Sequence, residues 1–171
     1  MTFLLQGCGE HYADLETLYA NETADVSEGI SGSTITLTST NRSGAFTLRE
    51  VATVAVKEKS VAISIEFPFG ALHKPIEIPA SSVSGCGKAC FSKDNWETEL
   101  YLTETGTALG LENSNVLIDW CWKNRIPIIP GDIERAWKYK GKSLPPKEEY
   151  ASQFESIEHY IYLAKQSCLG Y

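Results

Sequence analysis

The sequence predicts an α+β fold: six or seven antiparallel strands forming a barrel or two-sheet core, a helix capping it, and a C-terminal helical extension. Three observations predict it. Short apolar segments with period-two alternation recur between residues 33 and 113, each bounded by polar, Gly- or Pro-bearing turns. An apolar stretch preceded by a capping residue follows at 116–124. A stripe at spacings of three and four then runs through 147–168. The chain has 171 residues, 43% hydrophobic and 22% charged, which is one globular domain burying roughly two thirds of its unfolded surface. No apolar run approaches the ~20 residues of a spanning helix. The chain divides into an N-terminal start and acidic segment (1–32), a β-rich core with its capping helix (33–124) and a helical extension (125–171).

In order, residues 11–20 place Tyr12, Leu15, Leu18 and Tyr19 at helical spacing, as in a short amphipathic helix packed on the domain. Residues 21–33 are polar, acidic and glycine-bearing, as in a linker. Strands are expected at 34–39, with Ile35 and Leu37 inward, and at 47–57, with Val54 and Val56 on one face. The strand at 60–67 turns Val61, Ile63, Ile65 and Phe67 to the core and Ala62, Ser64 and Glu66 away from it. Pro68 and Gly70 break that ladder, and Ile76 and Ile78 begin a second short strand. Two more strands, 96–102 and 108–112, flank a reversal at Thr105-Gly106. Ser114 or Asn115 caps the following helix, which buries Leu117, Trp120 and Cys121.

Two stretches carry resemblances. Leu5-Gln6-Gly7-Cys8 resembles a bacterial lipobox, in which the cysteine becomes the lipidated first residue of the mature protein. Only seven residues precede Cys8, so the resemblance implies a signal that starts upstream of Met1. Acyl chains on Cys8 would hold the domain at a bilayer, at ~0.8 kcal/mol per buried methylene. Lys74-Pro75-Ile76-Glu77-Ile78-Pro79, set within a run of short strands closed by one apolar helix, resembles the bacterial PH-like or GRAM-like domains over residues 33–124. That resemblance implies a non-enzymatic binding or adaptor domain. The class's lipid-binding members use basic residues at the first hairpins; here Glu50 and Glu58 partly cancel Arg42, Arg49, Lys57 and Lys59, so no headgroup site is carried over.

With Cys8 set aside for lipidation, Cys86, Cys90, Cys121 and Cys168 remain, an even set with three connectivities. In an oxidising compartment the expected pairs are Cys86 with Cys90 and Cys121 with Cys168. Zinc is the rival use of these thiols, but only one C-x3-C pair is present. In a reducing compartment they would be small buried hydrophobes.

The net charge of −7 argues against affinity for nucleic acid, but it is unevenly spread. Residues 1–30 hold six carboxylates and no lysine or arginine, whereas residues 123–147 hold seven basic residues against two acidic ones. These two segments face each other or a partner, or are simply solvated. Arg135, Trp137, Lys138, Tyr139, Lys140 and Lys142 interleave bases with aromatics, a candidate surface for a protein partner.

No catalytic motif is present: His11, His73 and His159 lack metal-ligand spacing, and neither a nucleophile elbow nor a phosphate loop occurs. No cofactor is expected. The function expected is a membrane-tethered binding domain of a bacterial cell envelope. A cytosolic adaptor or immunity-type protein is the alternative. An enzyme using Cys86 or Cys90 with His73 or His159 comes third.

Overall fold

A computed structural model describes residues 6–39, 45–90, 96–102, 104–112 and 115–127. Helix α1 (Gln6–Tyr19) leads into strands β1 (Ile30–Ser39), β2 (Ala45–Val56), β3 (Ser60–Ile65) and β4 (Ile76–Pro79). Strands β5 (Val83–Cys90), β6 (Trp96–Leu102) and β7 (Thr107–Glu112) follow, and helix α2 (Asn115–Lys123) comes next. All seven strands form one antiparallel sheet in the order β4-β3-β2-β1-β7-β6-β5.

That order forces the sheet to curl. β4 and β5 lie at opposite edges, yet only the short 3-10 turn Ala80–Ser82 joins them. Seven flat strands would hold their outer edges about 29 Å apart at ~4.8 Å per strand, while the linking residues reach about 14 Å at most. The sheet therefore rolls into a nearly closed barrel, with its apolar face inward.

The interior is filled by alternate residues of every strand. Ile35 and Leu37, Val61 and Ile63, Ile76 and Ile78, Leu100 and Leu102, and Leu109 are all fully buried. Their registers bring them together: Leu37 lies opposite Leu109, and Ile63 opposite Ile76. The outer face of β6 is also buried, at Glu97, Glu99 and Tyr101. Thr36 donates its hydroxyl to Glu97 at 2.7 Å, and Tyr101 donates to Glu99 at 2.9 Å. Glu97 lies across Gly110, where any Cβ would collide with its carboxylate.

Helix α1 belongs to this core. Tyr12 and Leu15 are fully buried and Tyr19 nearly so, whereas Leu18 faces outward. The Tyr12 ring stands edge-on to His73 with centroids 4.8 Å apart, and its hydroxyl donates to the Lys74 carbonyl. Burial pushes the Tyr12 hydroxyl far above the ordinary tyrosine range, with the neighbouring Glu16 carboxylate adding to the shift, so it stays a neutral donor. After the helix, Asn21 closes the joint with β4: its amide donates to the Pro75 carbonyl and its side chain to Glu77.

Helix α2 ends in a Schellman motif. Arg125 takes a left-handed φ of 54°, its amide donates to Trp122, and the amide of the buried Ile126 reaches back to Cys121. Asn124 then donates to the Glu58 carbonyl at the β2–β3 turn. The two helices meet opposite ends of β2, since His11 of α1 stacks on Phe46 near its start.

Several expectations change. The apolar alternation does not extend to Phe67: β3 stops at Ile65, Gly70 donates back to Glu66 to turn the chain, and Phe67 is 90% exposed. Gly70 is required there, because any Cβ would collide with the Ile65 carbonyl oxygen. β1 begins at Ile30, inside the stretch read as linker, and carries a bulge at Gly32. β5 was not anticipated as a strand, because Val-Ser-Gly-Cys-Gly-Lys-Ala-Cys has a single β-branched residue. The predicted helices after residue 127 lie outside the described residues.

Candidate functional site

Among the described residues a concavity of about 610 Å³ opens where β1, the end of β2, the end of β7 and the start of α2 come together. Its existence follows from β1. Only Ile35–Ser39 pair with β7, while Ile30 and Ser33 pair with β2 across a register shift. Gly32, at φ 66°, produces that irregularity, and its amide is held by the Glu66 carboxylate at 3.1 Å. Thr53 donates to the same carboxylate, and the Gly32 and Thr53 hydrogen bonds keep the Glu66 pKa below the ordinary glutamate range. Glu66 thus pins the bulge, and β1 runs on beyond the end of β7 at Glu112.

The groove has an apolar floor of Val54, Val56 and Leu111. Its lips are Ile30 and Val116, which are 66% and 54% exposed. Glu28 and Glu112 stand at its rim, both exposed. A floor of branched aliphatics, two exposed apolar lips and two carboxylates suit an apolar ligand carrying positive charge. The size falls within the ~300–1,000 Å³ usual for ligand pockets.

None of these residues is picked out as a binding site by the sequence; Val54 and Val56 are read there only as one face of a strand. The available signal was Ile30, an isolated apolar residue between glycines in a polar stretch, together with the acidic front end, to which Glu28 belongs.

The sequence-derived candidates are placed elsewhere. Cys8 falls in the first turns of α1. Cys86 is disulfide-bonded to Cys121, with Cα atoms 6.6 Å apart, and not to Cys90. The expected Cys86–Cys90 pair fails on strand geometry: both lie on β5, where four residues span about 13 Å, and a disulfide needs Cα atoms within about 7 Å. The Cys121–Cys168 pair fails with it, because Cys121 is already joined to β5. Bonded in this way, Cys86 offers no thiolate to a Cys/His mechanism. Cys168, His159, Arg135, Trp137, Lys138, Tyr139, Lys140 and Lys142 lie outside the described residues. Among the described residues, no three His, Cys, Asp or Glu side chains converge as metal ligands, and no helix is long and apolar enough to cross a membrane.

Comparison with protein families, with curated proteins and with solved structures gave no match for this chain.

Proposed function

We propose that this chain is a non-enzymatic binding domain of the PH-like class, tethered to a bacterial membrane through Cys8, with the β1–α2 groove as its ligand site. The observation that carries the reading is the groove itself: an apolar floor beside a bulged strand, with charge at the rim. Support for the PH-like part comes from the meander β1–β4, the second meander β5–β7 and a helix directly after β7. Support for the envelope comes from the Cys86–Cys121 disulfide, since such bonds persist in oxidising compartments. That observation favours the envelope over the cytosolic alternative.

The tether has physical support as well. Cys8 precedes the docked Tyr12 by one helical turn, about 6 Å of rise, so an anchor there would hold the barrel close to the lipid. The loop that touches Tyr12 through His73 also exposes Phe67, Phe69 and Leu72, apolar side chains suited to a bilayer interface.

The tether is tested by expressing the full gene with its upstream sequence and feeding an alkynyl fatty acid. Wild-type protein should carry the label in the membrane fraction and Cys8→Ser should lose both; a soluble, unlabelled wild type would sink the reading. The ligand site is tested with N-phenyl-1-naphthylamine, a neutral apolar fluorophore. Its fluorescence should rise with wild type and not with Val116→Arg; equal enhancement by both would place binding elsewhere.

A further inference from the structure

Along one wall of the β1–α2 groove, among the described residues, the main chain of β1 has no neighbouring strand. β1 runs from Ile30 to Ser39, but its pairing with β7 begins only at Ile35. Among the described residues, no strand lies beside Ile30–Thr34 on the side away from β2. The Gly32 amide is given to Glu66 and the Ile30 carbonyl accepts from the Ser33 hydroxyl; the remaining amides and carbonyls of this edge are a template for a further strand. A compact small molecule would leave most of them to water.

We propose that the groove binds an extended peptide segment, which pairs as a strand with Ile30–Thr34 and carries lysine or arginine at alternate positions. This rests on the reading of the groove as the ligand site. Five edge residues measure about 17 Å, which accommodates a strand of ordinary length. Alternate side chains of an added strand point to opposite faces, so one set lies on Val54 and Leu111 and the other reaches outward. Both ionisable groups lining the groove are carboxylates, Glu28 and Glu112, and among the described residues no lysine or arginine lines it. An acidic rim selects cationic partners and repels acidic ones.

The same charge logic allows a competitor, the chain's own basic stretch at 123–147. An external peptide is the occupant proposed, and the cross-linking test below separates it from that stretch.

The test uses the full chain and three fluorescent nonapeptide pools with β-branched apolar residues at odd positions and Lys, Gln or Glu at even ones. Anisotropy should show the Lys pool binding about tenfold more tightly than the Gln pool and the Glu pool weakest, with the preference shrinking at high salt. N-methylation of alternate amides should weaken the Lys pool about tenfold, because it deletes strand hydrogen bonds. The double variant Glu28→Gln, Glu112→Gln should bring the Lys pool to the level of the Gln pool at an unchanged urea midpoint.

Equal affinities for the three pools, or indifference to N-methylation, would overturn the proposal. If N-phenyl-1-naphthylamine binds and Val116→Arg abolishes it while no pool competes, the groove stands as a ligand site and the peptide is wrong. If neither probe binds, both fail. Carbodiimide cross-linking should join Glu28 or Glu112 to a Lys-pool peptide. A link from either residue to a lysine of 138–147 in the peptide-free protein would hand the groove to the chain's own segment.

Discussion

Reducing the Cys86–Cys121 bond in otherwise unaltered protein removes one constraint and leaves every side chain in place. The bond joins residues 35 apart in sequence and ties α2 to β5. In the chain-entropy model a closed loop of that length lowers the unfolded chain's entropy by about 13 cal/mol/K, or about 4 kcal/mol at 25 °C. With a urea dependence of about 2 kcal/mol/M, reduction should lower the unfolding midpoint by about 2 M. That is a quarter or more of a typical domain's ~5–15 kcal/mol, so reduced protein should unfold in clearly milder urea. Non-reducing tryptic mapping gives the covalent check, because cleavage at Lys88 separates Cys86 from Cys90. The expected species links residues 60–88 to residues 94–123. Equal urea midpoints for oxidised and reduced protein, or a map joining Cys86 to Cys90, would refute the reasoning.

Two further predictions concern single residues. Arg125 pays a steric penalty in its left-handed conformation at the end of α2, so Arg125→Gly should stabilise the fold by about 1 kcal/mol in urea denaturation, and a loss of stability would argue against the Schellman end. The Glu77 carboxylate accepts hydrogen bonds from Ser60 at 2.6 Å, Asn21 at 2.7 Å and Lys57 at 3.1 Å, and the Ser60 and Lys57 bonds, in that order, hold its pKa below 4.5. Because the folded value is depressed, the resulting stability is present above pH 4.5 and lost as pH falls through the folded pKa. Glu77→Gln should therefore cost about 1 kcal/mol at neutral pH, and the gap from wild type should close below pH 4.5 in urea titrations; a constant gap would contradict this.

How much of this protein was legible beforehand depended on whether the deciding interaction was local. Period-two alternation located β2, β3, β4, β6 and β7 to within a residue or two, because a sheet with one buried face imposes that pattern on each strand separately. The helix carrying Trp120 was equally plain from its cap and apolar face. β5 was not, since Gly87 makes room for a neighbouring side chain: a Cβ there would strike the Tyr101 ring. That reason lies on another strand.

The sequence by itself therefore determined most of the strands, the antiparallel class and a helix closing the core. Tertiary structure alone decided which cysteine met Cys86, because a covalent partner is chosen by distance through space and β5 holds Cys90 too far along its own axis. It also decided that the acidic front end would contribute Glu28 to a groove whose other carboxylate, Glu112, lies at the end of β7. No spacing rule connects those two residues. Only the pairing of β1 with β7 in the rolled sheet brings them to one rim.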